Sequence, residues 1–296
     1  MLSSADVNRY REQGYLVVPD VLDGATLERA RAELARILEG ARAVTTHTDR
    51  YDLEPGHRPD APRVRRVKMP HRFYPGFTDL MRHPRMLAVV NDLLGPDVRL
   101  HGSKINLKSA RYGSPVEWHQ DWAFYPHTND DLLAVGVMLD DCGSDNGPLL
   151  VVPGSHRGPT FDHHAEGFFC GAIDPAAIRE EVARALPLTG RAGAMSFHHV
   201  RLVHGSAQNV SSVDRALLLY EFGAADAWPL MGVADLTEFD SRMVTGRPTL
   251  EPRVVPAPVR MPLPPARHQG SIYENQSDAA RRYFQVTDEP TPTSRT

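Results

Sequence analysis

Trp118-His119-Gln120-Asp121 and Leu202-Val203-His204-Gly205-Ser206 hold the residue types best able to do chemistry. In extended chain, residues i and i+2 share a face, so His119 and Asp121 are placed to reach one metal ion. The pair alone says little in a chain of 14 histidines, and His47-Thr48-Asp49 repeats the pattern in an irregular polar stretch. His204 sets the second pair apart, because it adds an imidazole from another predicted strand. Two histidines and one carboxylate occupy one face of an iron ion and leave positions open, whereas structural zinc takes four ligands, usually thiolates. Arg215 follows a polar turn and opens the apolar run Ala216-Leu217-Leu218-Leu219-Tyr220. A guanidinium there either snorkels from the strand end or grips a buried anion through parallel hydrogen bonds. Facing sheets lie about 10 Å apart, a gap that an arginine and a small diacid span together. Ser206 shares the face of His204 and offers a second donor to the same carboxylate.

The stretch from Trp118 to Gly158 (WHQDWAFYP…NGPLLVVPGSHRG), followed by LVHGSAQN and Arg215, resembles the phytanoyl-CoA dioxygenase family. The resemblance implies an Fe(II)- and 2-oxoglutarate-dependent oxygenase on a double-stranded β-helix, a jelly-roll or cupin-like core. By that match His119, Asp121 and His204 bind the iron, Arg215 and Ser206 hold the far carboxylate of 2-oxoglutarate, and O2 takes the remaining position. Alternation along Lys104-Ile105-Asn106-Leu107-Lys108 puts the three polar residues on one face. Ectoine hydroxylases, within this family, contact the cosubstrate through an Asn and a Lys at corresponding offsets, which assigns Asn106 and Lys108. Such an enzyme decarboxylates 2-oxoglutarate to succinate and CO2 and hydroxylates a carbon of a small molecule, a secondary metabolite or an amino-acid-like compound. The same centre also supports desaturation, cyclisation or epoxidation, while the presence of Asp121 argues against halogenation. A non-catalytic jelly-roll binding protein is the alternative from another class, and the complete ligand set weighs against it.

Trp118, Trp122, Phe124 and Tyr125 flank the metal ligands, where they line a substrate pocket or pack on the cosubstrate; Tyr125 is the one assigned to the cosubstrate. His198 and His199 compete with His204 but lack its Gly-Ser and arginine context, and His156 reads as a turn cap. Arg63, Arg65, Arg66, Lys68 and Arg72 read as a solvated loop face, with an anionic substrate as the alternative.

These residues need strands to hold them. From Val98 the period becomes two, and candidate strands are Val98–Lys108, Val116–His119, Leu133–Asp140, Leu149–Val152, Gly167–Ala172, Met195–Phe197, Leu202–Ala207 and Arg215–Phe222, with a helix from Asp174 to Ala183. Ahead of them come a short strand at Gly14–Pro19 and helices at Ala25–Leu38, Phe77–Arg82 and Pro84–Leu94, so residues 1–96 read as mostly helical decoration. Seven prolines between Pro248 and Pro265 make residues 226–296 a wrapping arm or lid. One domain of 296 residues results, mainly β, with residues 97–225 as its core. A net charge of −4 does not suit a general nucleic-acid binder. No apolar run is long enough for a membrane span, and two cysteines fit a reducing, cytoplasmic setting. The end of the sequence, Thr293-Ser294-Arg295-Thr296, carries no peroxisomal address, and the oligomeric state is not legible.

Overall fold

The computed structural model describes residues 1–268 and 270–286, so the terminal Thr293-Ser294-Arg295-Thr296 lies outside the described residues. Fourteen strands occur among them: β1 (Tyr15–Val18), β2 (Tyr51–Leu53), β3 (Val64–Lys68), β4 (Val98–Lys108), β5 (Val116–His119), β6 (Leu132–Met138), β7 (Leu149–Val151), β8 (His164–Ala165), β9 (Phe168–Phe169), β10 (Leu186–Leu188), β11 (Met195–His199), β12 (His204–Ser206), β13 (Arg215–Ala224) and β14 (Met243–Thr245). The larger sheet runs β1-β11-β6-β13-β4-β3-β2, with β14 added to β4; the smaller runs β10-β7-β12-β5, and β8 with β9 forms a hairpin. The architecture is mainly sheet and its pairings are antiparallel.

Period-two patterning decides what each face of the larger sheet meets. On β13, Ala216, Leu218, Tyr220 and Phe222 join the main core, where they pack with Leu27, Leu34, Phe77, Met86 and Val90 from the N-terminal helices. Fully burying each such large apolar side chain stabilises the fold by roughly 1.5–3 kcal/mol. The alternate residues Arg215, Leu217 and Leu219 face the other way, into a cavity also lined by the smaller sheet, and Glu221 faces the neighbouring one. Strand β11 repeats the scheme, with Met195 and Phe197 in the core and His198 turned to the opposite face.

Three sequence expectations change. Residues 1–96, read as mostly helical with one short strand, hold that strand as β1 and two more, β2 and β3, and all three pair into the larger sheet. The stretch read as a basic loop contains β3, whose Arg65 and Arg66 are buried: their apolar stems pack and both guanidinium groups lie over the Tyr273 ring, at 4.3 and 5.1 Å. The strand expected at Gly167–Ala172 shrinks to the two residues of β9, and the helix expected from Asp174 becomes two short turns, Pro175–Ala177 and Arg179–Val182. The Pro248–Pro265 stretch has neither helix nor strand, as its prolines dictate. It is nevertheless tied down: Trp122 Nε1 and Thr160 Oγ1 donate to the Pro258 carbonyl at 2.9 and 2.6 Å, and the Phe169 amide donates to Pro264 at 2.9 Å.

Candidate metal centre and active site

His119 closes β5 and His204 opens β12, and these two residues are direct cross-strand partners in the smaller sheet. Their rings stand 4.1 Å apart between centroids. Asp121 lies one residue beyond the strand end, on the short helical turn Asp121–Ala123, so its carboxylate reaches the pair from a bend rather than from an extended run. One ligand atom from each of His119, Asp121 and His204 falls within 4.8 Å of the others, and all three side chains are buried. Each imidazole donates Nδ1–H to a carbonyl of its own segment, His119 to Glu117 at 2.8 Å and His204 to Leu202 at 2.9 Å. These bonds fix the tautomer and leave both Nε2 lone pairs aimed at Asp121, 3.8 and 3.9 Å away. Burial favours neutral rings, lowering His204 to about 4 and His119 well below its ordinary value. Burial works against ionised Asp121, but His204, His198, Lys104 and His119 outweigh it and hold the carboxyl well below its usual range. Neutral imidazoles and an ionised carboxylate form the donor set that a divalent iron ion takes, so the three residues fit such a centre.

The pocket beside this cluster is lined by Asn106, Lys108, Ser206 and Arg215, as the sequence predicts, and by His198, Arg66, Ile272 and Tyr273, which it does not. Arg215 is 2 % exposed. Its Nη2 donates to the Gly147 carbonyl and its Nε reaches the Asn146 carbonyl at 3.5 Å, while Nη1 has no partner among the described residues. A buried guanidinium nitrogen left open in a pocket is a receptor for a carboxylate oxygen. Lys108 lines the pocket but is already engaged, donating to the carbonyls of Ser114 and Ala207 at 2.8 and 2.6 Å, and burial pushes its pKa well down. Asn106 accepts from Arg66 Nε at 3.1 Å.

Tyr125 does not line this pocket, but its hydroxyl lies beside the Asp121 carboxylate. It lines an adjoining cavity of about 550 Å³, reached past Asp121, together with Phe124, His101, Arg66, Lys68, Lys104 and Glu221. Its ring stacks on His101 at 4.1 Å. Burial, Asp121 and Glu221 keep the phenol protonated. Trp118 packs against Phe284 and Tyr283, and Trp122 is wholly buried, so these two are core. His156 reaches the Arg11 carbonyl at 3.1 Å and lies apart from the cluster, as a cap would.

Two neighbours of the cluster go beyond the sequence reading, which takes His198 only as a rival ligand and omits His163. His198 is fully buried, with neither ring nitrogen hydrogen-bonded, its ring 4.7 Å from that of His204 and its Nε2 3.5 Å from Asp121. The alternation of β11 was the available signal, since Phe197 in the core requires His198 to face the site. His163 accepts from the amide of Gln120, the residue between His119 and Asp121, at 2.9 Å, and its Nδ1 donates to Phe161 at 2.8 Å. Nothing local in the sequence marks a partner 43 residues away.

An antiparallel-sheet fold that converges two histidines and a carboxylate on one point, with an open guanidinium beside them, defines the class of non-haem iron oxygenases. More narrowly, the chain belongs to the phytanoyl-CoA dioxygenase family, whose model matches residues 10–217. It is 37% identical over 279 residues, 93% of this chain and 97% of the relative, to the "Probable alpha-ketoglutarate-dependent hypophosphite dioxygenase" of Stutzerimonas stutzeri. It is 30% identical to the ectoine dioxygenase of Bordetella bronchiseptica over 232 residues, 73% of each chain. Among solved structures, iron-bound EctD from S. alaskensis aligns with a TM-score of 0.67 at 23% identity, covering 86% of this chain and 88% of that one. The α-ketoglutarate-dependent carbocyclase SnoK of nogalamycin biosynthesis aligns with a TM-score of 0.62 at 26% identity, covering 84% and 93%.

Proposed function

We propose that this chain is an Fe(II)- and 2-oxoglutarate-dependent dioxygenase that oxidises a small molecule and releases succinate and CO2. The observation that carries the reading is the buried cluster of His119, Asp121 and His204 with the unpartnered Nη1 of Arg215 in the same pocket. When bound, iron and 2-oxoglutarate supply the oxidation, spending O2 on the cosubstrate and on the substrate. The chain supplies placement. His119 and His204 present Nε2 in a fixed tautomer and Asp121 adds the carboxylate. Arg215 receives the far carboxylate of 2-oxoglutarate, assisted by Ser206, with Asn106 and Lys108 forming the pocket wall. Tyr125 acts on the substrate side as a protonated donor, the change of role that its position supports.

The larger cavity carries Arg66, Lys68, Lys104 and His101 against Glu221 and Asp121, with Lys104 donating to Glu221 at 2.6 Å. That balance suits a small anion or zwitterion. Hypophosphite, after which the Stutzerimonas relative is named, is therefore the first substrate to try, and oxidation at phosphorus is a second reading beside hydroxylation of carbon. We read the two sheets as one jelly-roll domain, with residues 97–225 as its core and the described residues from 226 onward as an arm over the site. No helix among the described residues is long and apolar enough to cross a membrane. A cytoplasmic setting accords with Cys142 and Cys170 being buried free thiols.

The test adds Fe(II) and then 2-oxoglutarate to metal-free protein without oxygen. A weak visible charge-transfer band is expected in the wild type and absent in Arg215→Ala. No band from folded, iron-loaded wild type refutes the assignment.

A further inference from the structure

Besides the His198 ring, two buried polar groups of the cosubstrate pocket lack a partner among the described residues: Nη1 of Arg215 and the hydroxyl of Tyr273. They arrive from distant parts of the chain. Arg215 opens β13, whereas Tyr273 sits on the short helix Ile272–Asn275, beyond the residues 10–217 that match the family. The Tyr273 ring is held between neighbours: the Arg65 guanidinium lies 4.3 Å from its centroid, and Arg65 also pairs with Glu274 of the same helix. The segment around it is docked on β5. Gln276 accepts from the Glu117 amide at 2.9 Å and donates to the Gly171 carbonyl at 2.8 Å. The Glu117 carboxylate in turn accepts from the Tyr283 and Phe284 amides at 2.8 and 3.4 Å, and the Phe284 ring lies 5.5 Å from that of Trp118. The strand so clasped is the one that ends at His119.

A buried hydroxyl and a buried guanidinium nitrogen facing one pocket are costly to leave unbonded. One carboxylate, with two oxygens to share, satisfies both. Cations already crowd the position, since Arg66 and Lys108 line it too. A neutral donor adds a bond there without adding like-charge repulsion, and burial keeps the Tyr273 phenol protonated.

We propose that Tyr273 is a cosubstrate-binding residue whose hydroxyl donates to the far carboxylate of 2-oxoglutarate beside Arg215, so that cosubstrate binding and docking of residues 270–286 on β5 are coupled. The proposal rests on the 2-oxoglutarate reading above. Coupling is reciprocal: whatever loosens the docked segment weakens 2-oxoglutarate, and 2-oxoglutarate tightens the segment.

The full-length Fe(II)-loaded protein is titrated without oxygen with 2-oxoglutarate and with 2-oxobutyrate, which keeps the keto acid but lacks the far carboxylate. Tyr273→Phe weakens 2-oxoglutarate roughly ten-fold and leaves 2-oxobutyrate unchanged. In the wild type, 2-oxoglutarate slows hydrogen exchange across residues 270–286, and in Tyr273→Phe it slows it less. Unchanged binding of 2-oxoglutarate overturns the proposal, as does equal weakening of both ligands, which marks Tyr273 as packing alone. Weakened binding without any exchange protection in the wild type overturns the coupling. Arg215→Ala separates the two levels: if it too distinguishes neither ligand from wild type, the cosubstrate pocket itself is misassigned.

Discussion

Acid should unfold this protein through histidines buried in their neutral form, and His163 permits the size of the effect to be worked out. Its Nδ1 donates to Phe161 and its Nε2 accepts from the Gln120 amide, so a second ring proton would set two donors against each other. Burial lowers its pKa from 6.5 to about 4. The folded state therefore refuses a proton that the unfolded chain accepts, and the stability involved is complete above pH 6.5 and lost as pH falls toward 4. At roughly 1.4 kcal/mol per pH unit, integrating from pH 7.5 to about 5 gives a loss of about 2 kcal/mol. His127, whose burial also lowers it to about 4, adds a similar amount. Together they remove about 4 kcal/mol from a fold whose total stability is on the order of 5–15 kcal/mol. Urea denaturation at a series of pH values measures this directly. The control is His163→Gln, which keeps an acceptor and a donor but does not titrate in this range; it should lose about 2 kcal/mol less than wild type over the same interval. A wild-type stability that is flat from pH 7.5 to about 5, or a variant with an undiminished slope, would refute the burial argument. The comparison is made on metal-free protein, where His119 and His204 steepen both curves alike.

Two further outcomes follow from the site. Asp121→Ala removes the only carboxylate of the metal cluster. It should abolish succinate release and leave iron easily dialysed, measured as metal per chain, with binding weakened by at least ten-fold. The ion pair of Lys104 and Glu221 is mostly buried. Glu221→Leu alone should therefore destabilise by about 1–3 kcal/mol, and Lys104→Met added to it should restore part of that loss, read from urea midpoints.

Strand patterning made much of this fold legible. The bounds of β4, β5 and the helix Pro84–Leu94 follow from periodicity and flanking Pro or Gly, since β4 and the helix keep one face against the main core while β5 packs Trp118 into a smaller one. The cluster of His119, Asp121 and His204 was legible because cross-strand pairing brings two motifs together that each look ordinary alone. β3 was not. Val64-Arg65-Arg66-Val67-Lys68 reads as polar; Val64 and Val67 join the main core, and the burial of the charged residues between them follows from the groups they meet, Tyr273, Glu274 and Asp52. Tyr273 was hidden for the same reason: a helix of four residues in an irregular tail has no period to betray it, and its ring partners, Arg65 and Arg66, come from the far N-terminal part of the chain. Tyr125 was assigned to the cosubstrate by proximity in sequence, yet after the turn at Asp121–Ala123 it lines the neighbouring cavity, with its hydroxyl beside the Asp121 carboxylate.

The chain has only three lysines, Lys68, Lys104 and Lys108, and all three border the two cavities. Lys108 is 1% exposed and bound to two carbonyls, which leaves Lys68 and Lys104 as the side-chain amines open to reagents. Apart from the exposed α-amine of Met1, amine-directed chemistry on this protein is thus chemistry beside these cavities. Attachment to a biosensor surface through lysines, or their labelling with a succinimidyl dye, would anchor or block the molecule at the site proposed for its substrate. Thiols offer no alternative, because Cys142 and Cys170 are buried, so immobilisation is better directed to an added terminal handle on the N-terminal side, away from the docked residues 270–286.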